Sequence, residues 1–228
     1  LINLSASPFS SHKLKLRHLI AKKAVKRIQA PMIYVNQIGG NDELIFDGSS
    51  FVIEHEGEVS IQLPQCRESI SLWDSNKHKS SSAKLSLNRL SAQESLFEVL
   101  VLGVKDYAKK CGFKTALLGL SGGIDSALVA VIARAALGSS NVKGVLMPSP
   151  WSSEGSIKDS LELAKKLDIQ TSTIPIKSLM ESYDAALEDP LGVMPSGPTA
   201  ENLQARIRGT LLMVLANQEG HLLLSTGN

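Results

Sequence analysis

The chain has 228 residues, 43% of them hydrophobic, with a net charge of +2 and a mean hydropathy of +0.04. That is enough apolar material for one large domain or two modest ones, and it excludes a disordered tail. The charge balance is too mild to argue for nucleic acid, no apolar run approaches the roughly 18 residues of a membrane span, and residues 1–30 do not read as a signal peptide.

LINLS, residues 1–5, reads as a strand and is followed by a loop through Pro8. From His12 to about Gln29 a basic amphipathic helix is expected, with Leu16, Leu19, Ile20 and Ile28 at roughly helical spacing. PMIYVN, 31–36, is a second strand, QIGGNDEL a polar loop, and GSSFVIEHEGEVSIQLP a hairpin turning at Glu56-Gly57. From Trp73 the composition shifts to SNKHKSSSAK, which lacks an apolar period and reads as a solvated linker. Two cysteines, Cys66 and Cys111, form neither a metal spacing nor a disulfide framework, so a reducing cytoplasm is expected.

Beyond Ser91 the pattern is regular. A helix (91–110) precedes strand 115–120, then helix 125–137 ends at Gly138, which suits a left-handed cap. Strand 142–147, helix 155–167, strand 169–176 and helix 178–188 follow, then the loop DPLGVMPSGP, a helix from Thr199 to about Gln218 and strand 221–225. Strands alternating with helices predict a doubly wound parallel sheet, whose ligands bind at the carboxyl ends of the strands. The chain opens without methionine and closes on HLLLSTGN, so a piece of a longer protein is expected.

One stretch carries the chemistry: LLGLSGGIDSALVAVIARAALG, 117–138. It lacks the lysine of a Walker loop, and Gly119, Gly122 and Gly123 have the wrong spacing for a dinucleotide fingerprint. Glycines let the backbone approach a phosphate, and a helix N-terminus favours negative charge. Ser121 and Ser126 offer hydroxyl donors. Asp125 would repel phosphate, so a divalent cation between them is its sensible role; the plain alternative is a tight turn with Asp125 as a first-turn acid. Farther on, Asn202 and Arg206 sit four apart on one helix face, with Leu203, Ile207, Leu211 and Val214 on a neighbouring apolar face. An amide and a guanidinium together suit a carboxylate or a phosphate, the alternative for Arg206 being a solvated surface charge.

SGGIDS resembles the pyrophosphate loop of the ATP-pyrophosphatase ligases. MPSPWSSEGSIKDSLELAKKLDI and TAENLQARIRGTLLMVLANQEGHLLLSTGN resemble the synthetase domain of the NAD synthetases. LINLSASPFSSHKLKLR with YVNQIGGNDELIFDGSSFV resembles the C-terminal part of a nitrilase-type glutaminase domain. Together they resemble the glutamine-dependent NAD synthetases over nearly the whole chain.

The resemblance implies an α/β fold: a partial nitrilase-like α-β-β-α layer over 1–74, a linker over 75–88, and over 89–228 a Rossmann-type synthetase domain like the adenine nucleotide alpha hydrolases, cut short at its end. It implies an ATP site at Gly119, Leu120, Ser121, Gly122, Gly123, Ile124, Asp125, Ser126 and Thr226, with Asp125 on magnesium and the family's second metal-binding acid falling just beyond Asn228. Deamido-NAD would meet Asn202 and Arg206, and glutamine would meet Ser7 and Lys13, although a plain surface lysine remains the alternative for Lys13. The family's glutaminase cysteine lies upstream of the matching segment, so Cys66 and Cys111 are expected to be passive thiols. The implied activity is adenylation of deamido-NAD by ATP and amidation to NAD, in a homo-oligomer that binds neither nucleic acid nor membrane. GMP synthetase-like and asparagine synthetase-like acceptors, or a non-catalytic nucleotide sensor, are the rival readings.

Overall fold

A computed structural model describes residues 1–75 and 90–227. The expected linker, 75–88, lies outside them except for Ser75. The chain divides into two units, Leu1–Tyr107 and Ala108–Asn228, each with its own four-stranded sheet.

In the first unit the apolar runs become β1 (Ile2–Ser5), β2 (Met32–Asn36), β5 (Phe51–Ile53) and β6 (Val59–Gln62), in the order β1-β2-β5-β6. β1 pairs parallel to β2, and the other pairs are antiparallel. The β5–β6 hairpin turns through Gly57, whose φ of 93° is open to glycine, as the sequence predicts. QIGGNDEL is not a loop. It supplies most of a second hairpin, β3 (Ile38–Asn41) and β4 (Leu44–Asp47), turned by Asp42 at φ 51°. Aspartate tolerates that conformation because its short side chain bonds locally. The two glycines of β3 meet α2 (Ala92–Cys111), where Gly40 donates its N–H to Asp106 Oδ2 at 2.7 Å.

Helix α1 (Lys13–Ile28) forms where expected but presents another face. Leu16, Leu19, Ile20 and Ile28 are 45–58% exposed, whereas Arg17, Ala21 and Val25, at i, i+4 and i+8, are buried. Ala21 and Val25 pack on Met32, Tyr34, Phe51 and Ile53, and the Tyr34 and Phe51 rings stack at 4.7 Å. Arginine can hold the buried row because Asp47 meets it: Arg17 Nη1 donates to Asp47 Oδ1 at 2.9 Å. Ser49 Oγ donates to the second carboxylate oxygen at 3.1 Å. The rest of the guanidinium gathers in the 7–8 turn, donating to Ser7 Oγ, Ser7 O and Pro8 O.

In the second unit β7 (Ala116–Leu120), β8 (Val142–Leu146), β9 (Gln170–Thr173) and β10 (Leu222–Leu224) run parallel in the order β10-β7-β8-β9. Side chains alternate across β7. Leu118 and Leu120 pack with Ala130 and Ala133 of α3 (Ile124–Leu137) and Ala164 of α4 (Glu154–Leu167). Leu117 packs on the other face with Met180 of α5 (Lys177–Leu191) and with Ile207 and Ala216 of α6 (Pro198–Glu219). Both faces are therefore covered, as a parallel sheet requires.

Three local readings change. Gly138 has φ 88° but ψ 154°, outside the left-handed helical well, although its N–H still caps Arg134 O. α5 runs through Pro190, where the missing N–H forfeits one bond in the last turn, and stops at Gly192. On α6, Val214 is exposed, and Leu212 and Leu215 join the core instead.

Candidate functional site

The order β9-β8-β7-β10 places the reversal of winding between β7 and β10. A crevice opens at such a reversal, beyond the carboxyl ends of the two strands. β7 delivers Ser121–Ser126 there and β10 delivers Ser225 and Thr226. Of these, Ser121, Gly123, Asp125, Ser126, Ser225 and Thr226 line one cleft of about 700 Å³, with Met147 and Pro148 after β8, Ser152, Ser156 and Ser160 before and along the first half of α4, and Arg206 and Arg208 of α6. The volume lies within the usual range for ligand pockets, roughly 300–1,000 Å³.

The glycines of the loop have separate reasons. Gly122 sits at φ 81°, and a Cβ there would stand 2.6 Å from Ser156 O and 2.7 Å from Ser156 Cα. The start of α4 thus presses directly on the loop backbone. Gly123 is the extended N-cap of α3, at φ −85° and ψ 158°, and a Cβ there would meet only Ser121 Oγ, at 3.3 Å. Gly119 admits Leu212 and Met147 against β7.

The two hydroxyls bond within the loop, Ser126 buried and Ser121 exposed to the cleft. Ser126 is buried and its Oγ donates to Gly123 O at 3.0 Å. Ser121 Oγ and Ser126 Oγ lie 3.0 Å apart, and Gly123 N–H donates to Ser121 Oγ at 3.2 Å. The serines hold the loop in shape; the first-turn amides of α3, which no preceding carbonyl can reach, are the groups left to meet an anion. α4 adds a second helix start, capped by Ser153, which accepts from Ser156 N–H at 3.1 Å.

Asp125 is the one carboxylate lining this cleft, and it is exposed. Among the described residues no group of three His, Cys, Asp or Glu is placed to hold a metal. Arg206 lines the cleft, whereas Asn202, one turn earlier on α6, is exposed and does not. Sequence reasoning missed Arg208, Gly209, Ser152, Ser156 and Ser160. The only signal for them was their presence in the strings SPWSSEGSIKDS and ARIRGT.

Ser7 and Lys13 belong to the first unit. Ser7 is half-buried: its N–H donates to Asn36 Oδ1 at 2.8 Å, and its carbonyl accepts from Arg17 Nη2 and Asn36 Nδ2. Its Oγ accepts from Arg17 Nε at 3.1 Å, which leaves the hydroxyl proton available as a donor. Lys13 is the first residue of α1 and is partly exposed.

Cys66 is half-buried, with φ 57°. Burial, then the charges of Asp47 and Glu98, push its thiol up to about 12 against a side-chain hydrogen bond from Gln65. Thiolate is the reactive form, so Cys66 is expected to label with iodoacetamide at pH 8 on the order of 100-fold more slowly than an ordinary thiol. Exposed Cys111 is expected to label first. Peptide mapping after timed alkylation checks both.

A family model described as NAD synthase matches residues 96–228. A glutamine-dependent NAD(+) synthetase of Synechocystis sp. is 52% identical over all of this chain, which covers 41% of that relative. The structure of a glutamine-dependent NAD+ synthetase from Acinetobacter baumannii in complex with ADP superposes with a TM-score of 0.89 at 37% identity, covering 100% of this chain and 44% of that one. An NH3-dependent NAD synthetase from Campylobacter jejuni matches 58% of this chain and 56% of its own, with a TM-score of 0.52 at 30% identity. The chain spans about two fifths of the length of the curated relatives it matches.

Proposed function

The chain belongs to the NAD synthase family, and we propose that it forms part of a glutamine-dependent NAD synthetase, a carbon–nitrogen ligase that adenylates deamido-NAD with ATP and amidates it to NAD. The observation that carries this reading is the self-braced Ser121–Ser126 loop opening at the reversal between β7 and β10.

In this reading residues 1–74 are the C-terminal part of a nitrilase-like glutaminase domain, 75–88 a linker and 89–228 the synthetase domain. The ATP site comprises Gly119–Ser126 with Thr226. Deamido-NAD is held by Asn202 and Arg206, with Arg206 by its nicotinate end, and its carboxylate attacks the α-phosphorus. The new oxygen–phosphorus bond forms as the α–β bridge breaks, the electron pair leaving on the bridging oxygen. Amides at the start of α3 stabilise the departing pyrophosphate. Ammonia displaces AMP from the adenylate; in the whole enzyme it comes from glutamine, which Ser7 and Lys13 would help to hold. Positioning of the two substrates supplies much of the acceleration.

Magnesium fits this cleft, because that ion is commonly bound by one or two carboxylates together with substrate phosphates, and Asp125 is the carboxylate present. When bound, it would screen the phosphate charges during transfer. We place the enzyme in the cytoplasm as a homo-oligomer, with no nucleic-acid or membrane partner.

The test is pyrophosphate release from magnesium–ATP with ammonium as nitrogen source. Release dependent on deamido-NAD is expected; release driven by XMP or aspartate instead would overturn the assignment, and nucleotide binding with no release under any acceptor would favour a sensor. Asp125→Asn is expected to raise the magnesium needed for half-maximal release about 10- to 100-fold, the scale of one lost charged contact. A magnesium titration of both proteins measures it.

A further inference from the structure

We infer that Arg208 is the guanidinium that α6 directs onto the phosphate chain of the bound nucleotide. This rests on the reading of the cleft as an ATP site and adds to it a residue that sequence reasoning passed over.

α6 presents Ala205, Arg208, Gly209 and Leu212 to the cleft. The spacing i, i+3, i+4, i+7 is one helical stripe. Leu212 sets its level, because its Cδ1 lies 3.3 Å from where a Cβ on Gly119 would stand, against the last turn of backbone before the loop. α6 feeds β10, which is parallel to β7, so α6 runs back along the sheet against the strand direction. Arg208, one turn before Leu212, is therefore displaced about 5–6 Å toward the carboxyl ends of the strands. That is the level at which the 121–126 loop begins.

The side chain is held there. Arg208 Nε donates to Met147 O, just past β8, at 3.1 Å. That bond uses one of five N–H groups on a rigid fork, and a planar fork suits two phosphate oxygens at once. Among the described residues no carboxylate forms an ion pair with Arg208. It is partly buried, and desolvation lowers its pKa from the usual arginine value. A charge placed so is stabilised by an anionic ligand. Gly209, the next residue, has nothing within 4 Å of its absent Cβ and lines the same cleft. Arg206 also lines the cleft but sits off the centre of the stripe and is exposed.

The experiment is calorimetric titration of magnesium pyrophosphate and of magnesium–ATP into the wild-type protein, Arg208→Gln and Arg208→Lys, with melting curves as a check on folding. Arg208→Gln is expected to weaken at least one of the two ligands about 10- to 100-fold, with Arg208→Lys restoring part of the loss. Loss for both places the contact on the pyrophosphate end, and loss for ATP alone places it on the α-phosphate. Unchanged affinity for both in Arg208→Gln, even with a lowered melting temperature, would overturn the inference and leave Arg208 a tether for the strand end. Absence of binding by the wild-type protein would instead defeat the function proposed for the cleft.

Discussion

Gly122→Ala is expected to lower pyrophosphate release at least about 100-fold and to lower the melting temperature by roughly 5–15 °C. Two independent penalties meet at this position. The φ of 81° is costly for a residue with a Cβ, by about 1–2 kcal/mol. The added methyl would also stand 2.6–2.8 Å from Ser156 O, Cα and Cβ. Two of those atoms are backbone at the start of α4, so the neighbour cannot swing aside, and overpacking of this kind costs about 1–3 kcal/mol. Relief requires the loop and α4 to separate by on the order of 1 Å, and a misplacement of that size costs about 100-fold in rate. Gly123→Ala is the internal control. Its backbone is extended, and its Cβ would meet only the Ser121 hydroxyl. It is expected to keep its melting temperature within a few degrees. Calorimetric melting of both variants, with release rates measured on folded protein, separates the two penalties. Equal behaviour of the two would contradict the account of the loop.

Breaking the Arg17–Asp47 pair is expected to destabilise the first unit by about 3–5 kcal/mol. Both side chains are at most 4% exposed, and their charges meet at 2.9 Å. Asp47→Ala would leave the guanidinium buried with Nη1 unmatched, while Ser49 Oγ would lose its acceptor. Arg17→Met would also release Ser7 and Pro8, whose carbonyls and hydroxyl it holds. Replacing one partner of a buried pair costs more than replacing both, because the survivor keeps its desolvation penalty. Arg17→Met/Asp47→Ala is therefore expected to be more stable than the sum of the two single changes implies. Urea unfolding of the four proteins gives the coupling, and an additive result would show that the pair has no shared energy.

The architecture of the second unit was legible because its information is local. Apolar runs of about five and helices with apolar stripes each mark an element from a few residues. The place of SGGIDS between a strand and a helix was legible for the same reason. What escaped depends on residues far apart. The buried face of α1 reads as charged at Arg17, and only Asp47, thirty positions later, makes that face the right one. QIGGNDEL looks like a loop because glycines carry no apolar pattern, yet they are there so that α2 can approach β3. In the cleft, the bond between the Ser121 and Ser126 hydroxyls could not be read from residue types that serve equally well as ligand donors. Arg206 and Arg208 are alike in sequence, and only the structure shows Arg206 exposed and Arg208 tied to Met147 O.

The direct test is a crystal structure of this protein grown with magnesium pyrophosphate. Diphosphate density is expected against the main-chain N–H groups that begin α3, with Gly122 still pressed on Ser156 and Asp125 facing the cation. Diphosphate bound elsewhere while that turn stays empty, or a side chain filling it, would contradict the central claim.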